Sequence, residues 1–216
     1  MAQAGKQPEL FRCLPFTLHI DIGIADLVIL VALQRIAEAS RLAYADRNQY
    51  LGDATFVSVP LQGLLDPAYL AGRGKTIGDS AAPVVTFGKP AGAVALGPDF
   101  TDESQGTSNF TVVDDAGNVL TMTTTVESSL GTGRMVGGFI LNNQLTDFSF
   151  NPRNPNGAPS ANAVAGGKRP RSSMSPTIVL DKDGRFVMAV GTPGANSIIA
   201  YVAKTLVGYL DWKLSL

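Results

Sequence analysis

Residues 106–126 read GTSNFTVVDDAGNVLTMTTTV, and this stretch predicts a β-hairpin that starts beside a glycine. Two runs rich in β-forming residues, Phe110–Val113 and Val119–Val126, flank the turn sequence DDAGN. The Gly106–Thr107 junction stands a few residues before the first run. In the simplest interpretation, Thr107 is a threonine at the edge of a strand, between a loop and a hairpin.

A second interpretation gives Thr107 a chemical role. If the chain were cut between Gly106 and Thr107, the new α-amine would lie next to the Thr107 hydroxyl and act as its general base. An α-amino group has a pKa near ~8, against about 10 for lysine, so it accepts a proton at neutral pH. The sequence has one histidine, His19, in an N-terminal stretch with little pattern, so the amine would supply the base that the motif lacks.

The composition indicates a globular protein. The 216 residues are 45% hydrophobic with a formal net charge of −1, which gives no electrostatic reason to expect nucleic acid or an anionic membrane as a partner. The single cysteine, Cys13, excludes an internal disulfide, and the sequence has no Cys/His cluster to bind zinc. The apolar run 20–36 is interrupted by Asp21 and Asp26, so it predicts neither a membrane span nor a signal peptide.

The order of predicted elements favours an α+β fold. Apolar residues recur at helical spacing between Leu27 and Tyr50, and again from Ser197 to Tyr209. Asp66 followed by a proline predicts the start of a short helix. A second hairpin is predicted for Thr177–Leu180 and Arg185–Val190, around the turn DKDG. Helices, two hairpins and a further helix indicate helices packed on an antiparallel sheet.

Two long irregular segments connect these elements, and each has two interpretations. Residues 72–106 are rich in glycine, proline and small side chains, as in a disordered connector or in a segment placed near a processing site. Their end at the Thr107 junction fits the second interpretation. Residues 150–167, between the hairpins, form either a plain surface connector or a mobile flap over a pocket.

Further residues suit acyl transfer, which needs donors for a developing oxyanion and groups that hold the substrate. The tract GTPGAN leads into a helix, so the amides of Gly194 and Ala195 are candidates for an oxyanion site, although a turn without a ligand is more common. Ser172 and Ser173 offer hydroxyl donors that suit a substrate carboxylate, or else they form a polar turn. Glu127 and Asp147 offer negative charge that suits a substrate ammonium, or else each is a cap or a solvated carboxylate.

Taken together and in this order, several stretches resemble the γ-glutamyltranspeptidase family, also called glutathione hydrolases. They run from about Ile36 to the C-terminus and read RLAYADRNQYLGD, LLDPAYL, GTSNFTVVDDAGNVLTMTTTVESSLGTG, ILNNQLTDFSF, KRPRSSMSPTIV and VGTPGANSII. The resemblance implies an N-terminal-nucleophile hydrolase fold, an αββα sandwich made from a self-cleaved precursor and incomplete in this chain.

The resemblance also implies a role for each candidate residue. Thr107 would be both the autocleavage residue and the nucleophile, with Thr125 as its hydrogen-bond partner. The backbone donors of the oxyanion hole would be Gly194 and Ala195. Around the α-amino group of the γ-glutamyl head group, the family's contacts match Glu127, Gln144 and Asp147. At the α-carboxylate, the family's serine pair matches Ser172 and Ser173.

The sequence departs from the family pattern at three of the matched positions. Asn109 stands where the family often has histidine, and Glu127 stands where some members have asparagine. Ala195 stands where the family usually has glycine, and its amide still donates provided that its φ is not strongly positive.

The match also predicts a chain that is truncated at both ends. The family's arginine that pairs with the substrate carboxylate is expected before the matched part. The expected organisation has three parts: a divergent or disordered stretch over 1–25, the C-terminal part of the large-subunit region over 26–106, and the start of the small-subunit region over 107–216.

The resemblance implies γ-glutamyl transfer from, or hydrolysis of, glutathione and other γ-glutamyl amides through a threonine-linked acyl enzyme. Amino acids or dipeptides would be acceptors, large and small subunits would come from one precursor, and no cofactor, metal or nucleic acid would be needed. A cephalosporin (glutaryl) acylase and an inactive fragment are the alternatives. Residues 150–167 would cover the donor site and add little stability. A periplasmic or extracellular location is expected by resemblance only.

Overall fold

The computed structural model describes residues 24–104, 106–155 and 157–215, with side chains from residue 29 onward. The predictions for His19 and Cys13 therefore lie outside the described residues. The described part contains both helices and antiparallel hairpins, which confirms the α+β class. The helices are α1 (Ile24–Tyr50), α2 (Leu61–Leu64), α3 (Pro67–Gly74) and α4 (Ile198–Leu210). The strands are β1 (Thr107–Val113), β2 (Val119–Thr125), β3 (Met135–Val136), β4 (Phe139–Ile140), β5 (Thr177–Leu180) and β6 (Phe186–Val190).

The predicted helices are present with small changes at their ends. Helix α1 begins three residues before the predicted start at Leu27 and ends at Tyr50 as predicted. Helix α3 begins after Asp66, whose side chain accepts a hydrogen bond from the Tyr69 amide at 2.8 Å and so caps the helix. A single turn of 3₁₀ helix, Ala195–Ser197, precedes α4. None of the described helices is both long and apolar enough to cross a bilayer.

The β1–β2 hairpin places Thr107 opposite Thr125. Its antiparallel register runs from the Thr107–Thr125 pair to the Val113–Val119 pair. The turn is closed by Asp114, whose carboxylate accepts a hydrogen bond from the Asn118 amide at 2.8 Å. Because successive strand residues face opposite sides, odd-numbered positions of β1 share one face with odd-numbered positions of β2. The two threonines therefore lie on the same face.

The two faces of this hairpin differ in chemistry. One face carries a ladder of cross-strand hydrogen bonds between polar side chains: Thr107 with Thr125, Asn109 with Thr123, and Thr111 with Thr121. The other face carries apolar side chains that remain about half exposed: Phe110, Val112, Leu120 and Met122. The second predicted hairpin, β5–β6, is also present and has an irregularity between Val179 and Leu180. The short β3–β4 ladder was not predicted.

The described part of the chain is buried mainly around polar groups. The buried polar set includes Asn162, which is fully buried, and Asp99 and Ser173, which are each 2% exposed. Several large apolar side chains are exposed instead, such as Phe139 and Leu145. Buried polar groups need partners. Hydrogen bonds and ion pairs between distant segments supply most of these partners, and they also position the candidate site.

Part of the segment over residues 150–167 is packed more tightly than the flap that the sequence predicts. Ser160, Ala161 and Asn162 lie within it and are almost completely buried. The Asn162 side chain donates to Asp99 at 2.8 Å and to the Asp147 carbonyl at 2.6 Å. The prediction that this segment adds little stability is therefore wrong for these residues, because their amide and backbone groups replace water around buried acids.

Candidate active site

A chain of hydrogen bonds joins Thr107, Thr125 and the Gly106 carbonyl. The Thr107 hydroxyl donates to the Thr125 hydroxyl at 3.2 Å. The Thr125 hydroxyl donates in turn to the Gly106 carbonyl oxygen at 3.3 Å, and it also accepts from the Glu127 amide at 2.8 Å. A donor on a carbonyl oxygen makes the carbonyl carbon more electrophilic. The geometry therefore polarises the peptide carbonyl that directly precedes the Thr107 hydroxyl.

The backbone around Gly106 is packed so closely that only glycine fits. A Cβ added at Gly106 would lie 2.2 Å from the Glu127 carbonyl oxygen and 2.7 Å from the Ser128 carbonyl carbon. Glu127 has a φ of 76°, a left-handed conformation that costs about 1 kcal/mol or more for a residue with a side chain. The junction before Thr107 thus lies against a strained turn.

Two buried acids, Glu127 and Asp147, form an anionic centre beside this junction. Each residue is 4% exposed. Burial, and after it a hydrogen bond to Glu127 and the charge of Glu127, together raise the pKa of Asp147 to about 7. Within the described residues, the Oδ1 atom of Asp147 has no hydrogen-bond partner, while its Oδ2 atom accepts from Gln144 at 3.2 Å. A proton or a cationic donor would give the free oxygen of this pair a partner.

Of the predicted serine pair, only Ser173 is buried. Ser173 is 2% exposed, and its hydroxyl accepts a hydrogen bond from Arg47 at 2.6 Å. Ser172 is exposed and its hydroxyl accepts from the Met174 amide at 3.2 Å. Ser172 lines a separate open cavity of about 600 Å³ together with Asp53. The two adjacent side chains therefore point to different environments.

The predicted oxyanion turn has an unusual backbone. Gly194 has a φ of 140°, and an added Cβ would lie 2.9 Å from the Tyr201 ring. Ala195, which is 7% exposed, has a φ of 52°. This φ is positive, but 52° lies in the ordinary left-handed region, which alanine adopts at a steric cost that glycine would avoid and with its N–H still able to donate. Tyr44 anchors the turn from α1 by donating to the carbonyl oxygen of Asn196.

Sequence reasoning missed a set of buried ionic residues that hold these elements together. Arg47 forms an ion pair with Glu103 at 2.9 Å, and Arg171 forms one with Asp99 at 3.3 Å. Asn162 lies beside the second pair and accepts a hydrogen bond from the Arg171 amide at 2.9 Å. The available signal was the run of polar residues at the C-terminal end of α1, within RLAYADRNQYLGD, where a helix facing a core would normally be apolar.

The pKa values of Arg171 and Asp99 both lie below their ordinary values, for different reasons. Burial, together with the neighbouring charge of Arg47, lowers the pKa of Arg171 to about 10. Burial alone would raise the pKa of Asp99, but hydrogen bonds from Asn162 and Thr101 and the charge of Arg171 outweigh it, so the pKa lies below its ordinary value. In the described part of the chain, no group of three or more His, Cys, Asp or Glu side chains could hold a metal ion.

Comparison with known proteins finds a matching family and similar sequences. The sequence model described as gamma-glutamyltranspeptidase matches residues 19–216. The chain is 42% identical over 190 residues to the glutathione hydrolase proenzyme of Escherichia coli K12, covering 85% of this chain and 32% of that protein. It is 38% identical over 217 residues to the glutathione hydrolase proenzyme of Bacillus subtilis 168, covering 96% of this chain and 36% of that protein. The chain thus spans about a third of these relatives.

A solved structure supports the fold. The structure of a cephalosporin acylase from Bacillus halodurans superposes with a TM-score of 0.66 over 84% of this chain and 30% of the acylase chain. The sequence identity is 23%, so this likeness concerns the fold alone.

Proposed function

This chain belongs to the γ-glutamyltranspeptidase family, and we propose that its protein cuts itself before Thr107 and then transfers or hydrolyses γ-glutamyl groups through that residue. The observation that carries the proposal is the hydrogen-bond chain from the Thr107 hydroxyl through Thr125 to the Gly106 carbonyl oxygen. A hydroxyl able to attack, a partner hydroxyl and a polarised carbonyl at one peptide bond support the proposal.

The self-cleavage step follows from that arrangement. The Thr107 oxygen attacks the Gly106 carbonyl carbon, and the Thr125 hydroxyl stabilises the negative charge that develops on the carbonyl oxygen. The C–N bond then breaks, the nitrogen takes up the proton that the hydroxyl loses, and Gly106 is left as an ester on Thr107. Water hydrolyses the ester, which releases the Gly106 carboxylate and a free hydroxyl. The strained turn at Glu127 favours a reaction that relaxes this junction.

Turnover uses the amine that cleavage creates. The Thr107 α-amine takes the hydroxyl proton as the oxygen attacks the γ-carbonyl of the donor, and the oxyanion accepts hydrogen bonds from the amides of Gly194 and Ala195. The departing amine receives the proton and leaves a γ-glutamyl ester on Thr107. Water then releases glutamate, or an amino acid or dipeptide amine takes the acyl group.

The buried acids favour a donor with an amino group. An α-ammonium placed between Asp147 and Glu127 would supply the cation that two buried carboxylates need, and Gln144 would orient Asp147. The α-carboxylate would bind at Ser173, with Ser172 reaching it only after its side chain turns. A glutaryl group lacks the ammonium, so the acylase alternative leaves this anionic centre without a ligand.

The proposal extends to the finer architecture of the whole protein. The apolar face of the β1–β2 hairpin, which carries Phe110 and Met122, is about half exposed in this chain. A second layer packed on it would bury this face, as an αββα sandwich does. In that arrangement residues 26–106 belong to the larger of two subunits from one precursor, and residues 107–216 begin the smaller one.

The test is cleavage and turnover of the full-length protein. Mass spectrometry should find a fragment that begins at Thr107, and the cut protein should release p-nitroaniline from γ-glutamyl-p-nitroanilide. Thr107→Ala should stay uncut and inactive, whereas Thr107→Ser keeps a hydroxyl and should still cut. Thr111→Ala is the matched control because Thr111 lies on the same face of β1 and is exposed. Cleavage that persists in Thr107→Ala would overturn the proposal. Turnover of the glutaryl anilide alone would favour the acylase.

A further inference from the structure

The predicted oxyanion turn receives a side-chain hydrogen bond from helix α1. The Tyr44 hydroxyl donates to the backbone carbonyl oxygen of Asn196, which is 152 positions away in sequence. Tyr44 is half-buried, and this burial raises the pKa of its hydroxyl above the ordinary value. The hydroxyl therefore keeps its proton and remains a hydrogen-bond donor at neutral pH.

The turn itself, residues 194–197, makes few bonds that would fix its amides. It is closed by one backbone hydrogen bond, from the Ser197 amide to the Gly194 carbonyl oxygen at 2.9 Å. Within the described part of the chain, the amides of Gly194 and Ala195 donate to no protein acceptor. Both residues have a positive φ, which costs steric energy at Ala195. Contacts from outside the turn must offset this cost and hold the two amides in place.

Two tyrosines supply such contacts from different sides. The Tyr201 ring lies close to Gly194, where an added Cβ would be 2.9 Å from a ring carbon. The Tyr44 hydroxyl holds the other end of the turn at the Asn196 carbonyl. Tyr201 follows Thr107 in the sequence, as the turn does, whereas Tyr44 precedes it. The contact of Tyr44 with the turn therefore crosses the proposed cleavage point.

We propose that Tyr44 is a positioning residue for turnover, whose hydroxyl holds the turn so that the amides of Gly194 and Ala195 meet the oxyanion of the donor. The inference rests on the proposed function. Tyr44 touches the turn and has no contact with the donor in this scheme. Helix α1 belongs to the proposed larger subunit, so the two subunits have to stay together after cleavage for the chemistry to proceed.

Self-cleavage and turnover stabilise their oxyanions through different groups, so the two reactions can be separated. In self-cleavage, the hydrogen bond to the Gly106 carbonyl oxygen comes from the Thr125 hydroxyl. In turnover, the donors are the amides of the turn that Tyr44 holds. Loss of the Tyr44 hydroxyl should therefore slow turnover and leave cleavage as it was. A residue that only stabilised the fold would affect both reactions.

The first experiment compares both reactions in the full-length protein. Tyr44→Phe removes the hydroxyl, keeps the ring, and should be cut before Thr107 as fast as the unmodified protein, followed by mass spectrometry. Its kcat on γ-glutamyl-p-nitroanilide, per cleaved enzyme, should fall about fivefold, the effect of one ordinary hydrogen bond. The KM should stay within about twofold, because the head-group contacts are unchanged.

Tyr209→Phe is the matched control for the first experiment. Tyr209 is also half-buried, and it lies at the far end of α4 from the turn, so its variant should keep the cleavage rate and kcat. Three results would overturn the inference: slower cleavage in Tyr44→Phe, a change confined to KM, or a kcat no lower than that of Tyr209→Phe.

The second experiment measures two competitive inhibitors of the cleaved enzyme. In the first, a glutamate analogue, a boronic acid replaces the γ-carboxyl group, and addition of the Thr107 oxygen to boron gives a tetrahedral anion with an oxygen at the turn. The second, L-2-aminobutyrate, has the same head group and ends one atom before that position. Tyr44→Phe should raise the inhibition constant of the boronic acid about fivefold, like the loss in kcat, and leave that of aminobutyrate unchanged. Equal rises for both inhibitors would contradict a role at the turn.

The outcomes separate the inference from the function on which it rests. If the unmodified protein is not cut before Thr107 or releases no p-nitroaniline, the proposed function fails and the inference fails with it. If the unmodified protein is active and Tyr44→Phe behaves like Tyr209→Phe, only the inference fails. A Tyr44→Phe protein that does not fold also overturns the inference, because the hydroxyl would then serve the whole fold.

Discussion

Asp99 and Asp147 are both buried aspartates, but only one of them is fully paired. Asp99 is 2% exposed and accepts hydrogen bonds from Asn162 and Thr101 besides its ion pair with Arg171. Asp147 is 4% exposed, faces another acid, Glu127, and leaves one carboxylate oxygen without a partner in the described structure. The same residue type at similar burial therefore has a lowered pKa in one place and a raised pKa in the other.

This difference separates an acid that the fold already satisfies from one that can still gain a partner. A carboxylate that the protein has already satisfied gains nothing from a ligand, whereas an unsatisfied one gains a partner when a cation arrives. Asn162 connects the two, since its amide donates to the Asp99 carboxylate and to the Asp147 backbone carbonyl. Asp99, the paired acid, thus helps to hold the backbone of Asp147, the unpaired acid, through Asn162.

The largest effect is expected from breaking the paired acid. Asp99→Ala leaves Arg171, whose side chain is 5% exposed, as an unpaired buried charge. We expect the free energy of unfolding to fall by ~3–5 kcal/mol, measured by urea denaturation. Asp102→Ala changes an exposed acid nearby and should stay within about 0.5 kcal/mol. A loss below about 1 kcal/mol in Asp99→Ala would mean that the paired cluster does not stabilise the fold.

Neutralising the unpaired acid should affect function rather than folding. Asp147→Asn removes a buried charge, so the free energy of unfolding at pH 8 should be unchanged or higher. The specificity constant for a γ-glutamyl anilide should fall by about 2 kcal/mol, roughly 30-fold, because a charge-assisted contact to the ammonium is lost. The glutaryl anilide is the control donor and should keep its rate. Equal losses on both donors would show that Asp147 does not bind the amino group.

The pH dependence of stability should have opposite signs at the two acids. The raised pKa of Asp147 stabilises the folded state below the ordinary value of 3.8, and this contribution is lost as the pH rises through about 7. The lowered pKa of Asp99 stabilises the folded state above its ordinary value, and this contribution is lost as the pH falls below it.

Relative to Asp147→Asn, the unmodified protein should therefore lose stability between pH 4 and 7, by about 1 kcal/mol per pH unit where the slope is steepest. Urea denaturation across this range measures the difference. A difference that does not change with pH would show that Asp147 titrates at its ordinary value.

The smallest effect is expected from Gln144, the amide that partly satisfies Asp147. Its side chain donates to Asp147 at 3.2 Å and lowers the pKa of that carboxyl. In Gln144→Leu, γ-glutamyl donors should therefore begin to bind at a higher pH. The loss in kcat/KM at neutral pH should correspond to less than about 1.5 kcal/mol. The neighbouring exposed Leu145 provides the control, Leu145→Ala. A downward movement of the profile would contradict the contact.

Local patterns predicted the parts of the site that depend on neighbouring residues. The alternation in residues 106–126 predicted the hairpin, and its register places Thr107 opposite Thr125. The proline and acid at the start of α3 predicted its cap. The buried network escaped prediction because its contacts join residues far apart in sequence: 126 positions between Arg47 and Ser173, and 63 between Asp99 and Asn162. Periodicity in the sequence indicates which face of an element is buried, but it does not indicate which polar partner that face contacts.

The register of the β1–β2 hairpin limits where the gene can change length. A residue added or removed inside β2 would move Thr125 to the apolar face and bring Thr124 or Val126 opposite Thr107, and such a change inside β1 would move Thr107 in the same way. Changes in the turn between Asp114 and Asn118 leave the pairs near Thr107 in place, because that turn lies at the far end of the hairpin. Insertions among relatives should therefore collect at this turn, and a peptide tag could be placed there without moving the proposed cleavage point.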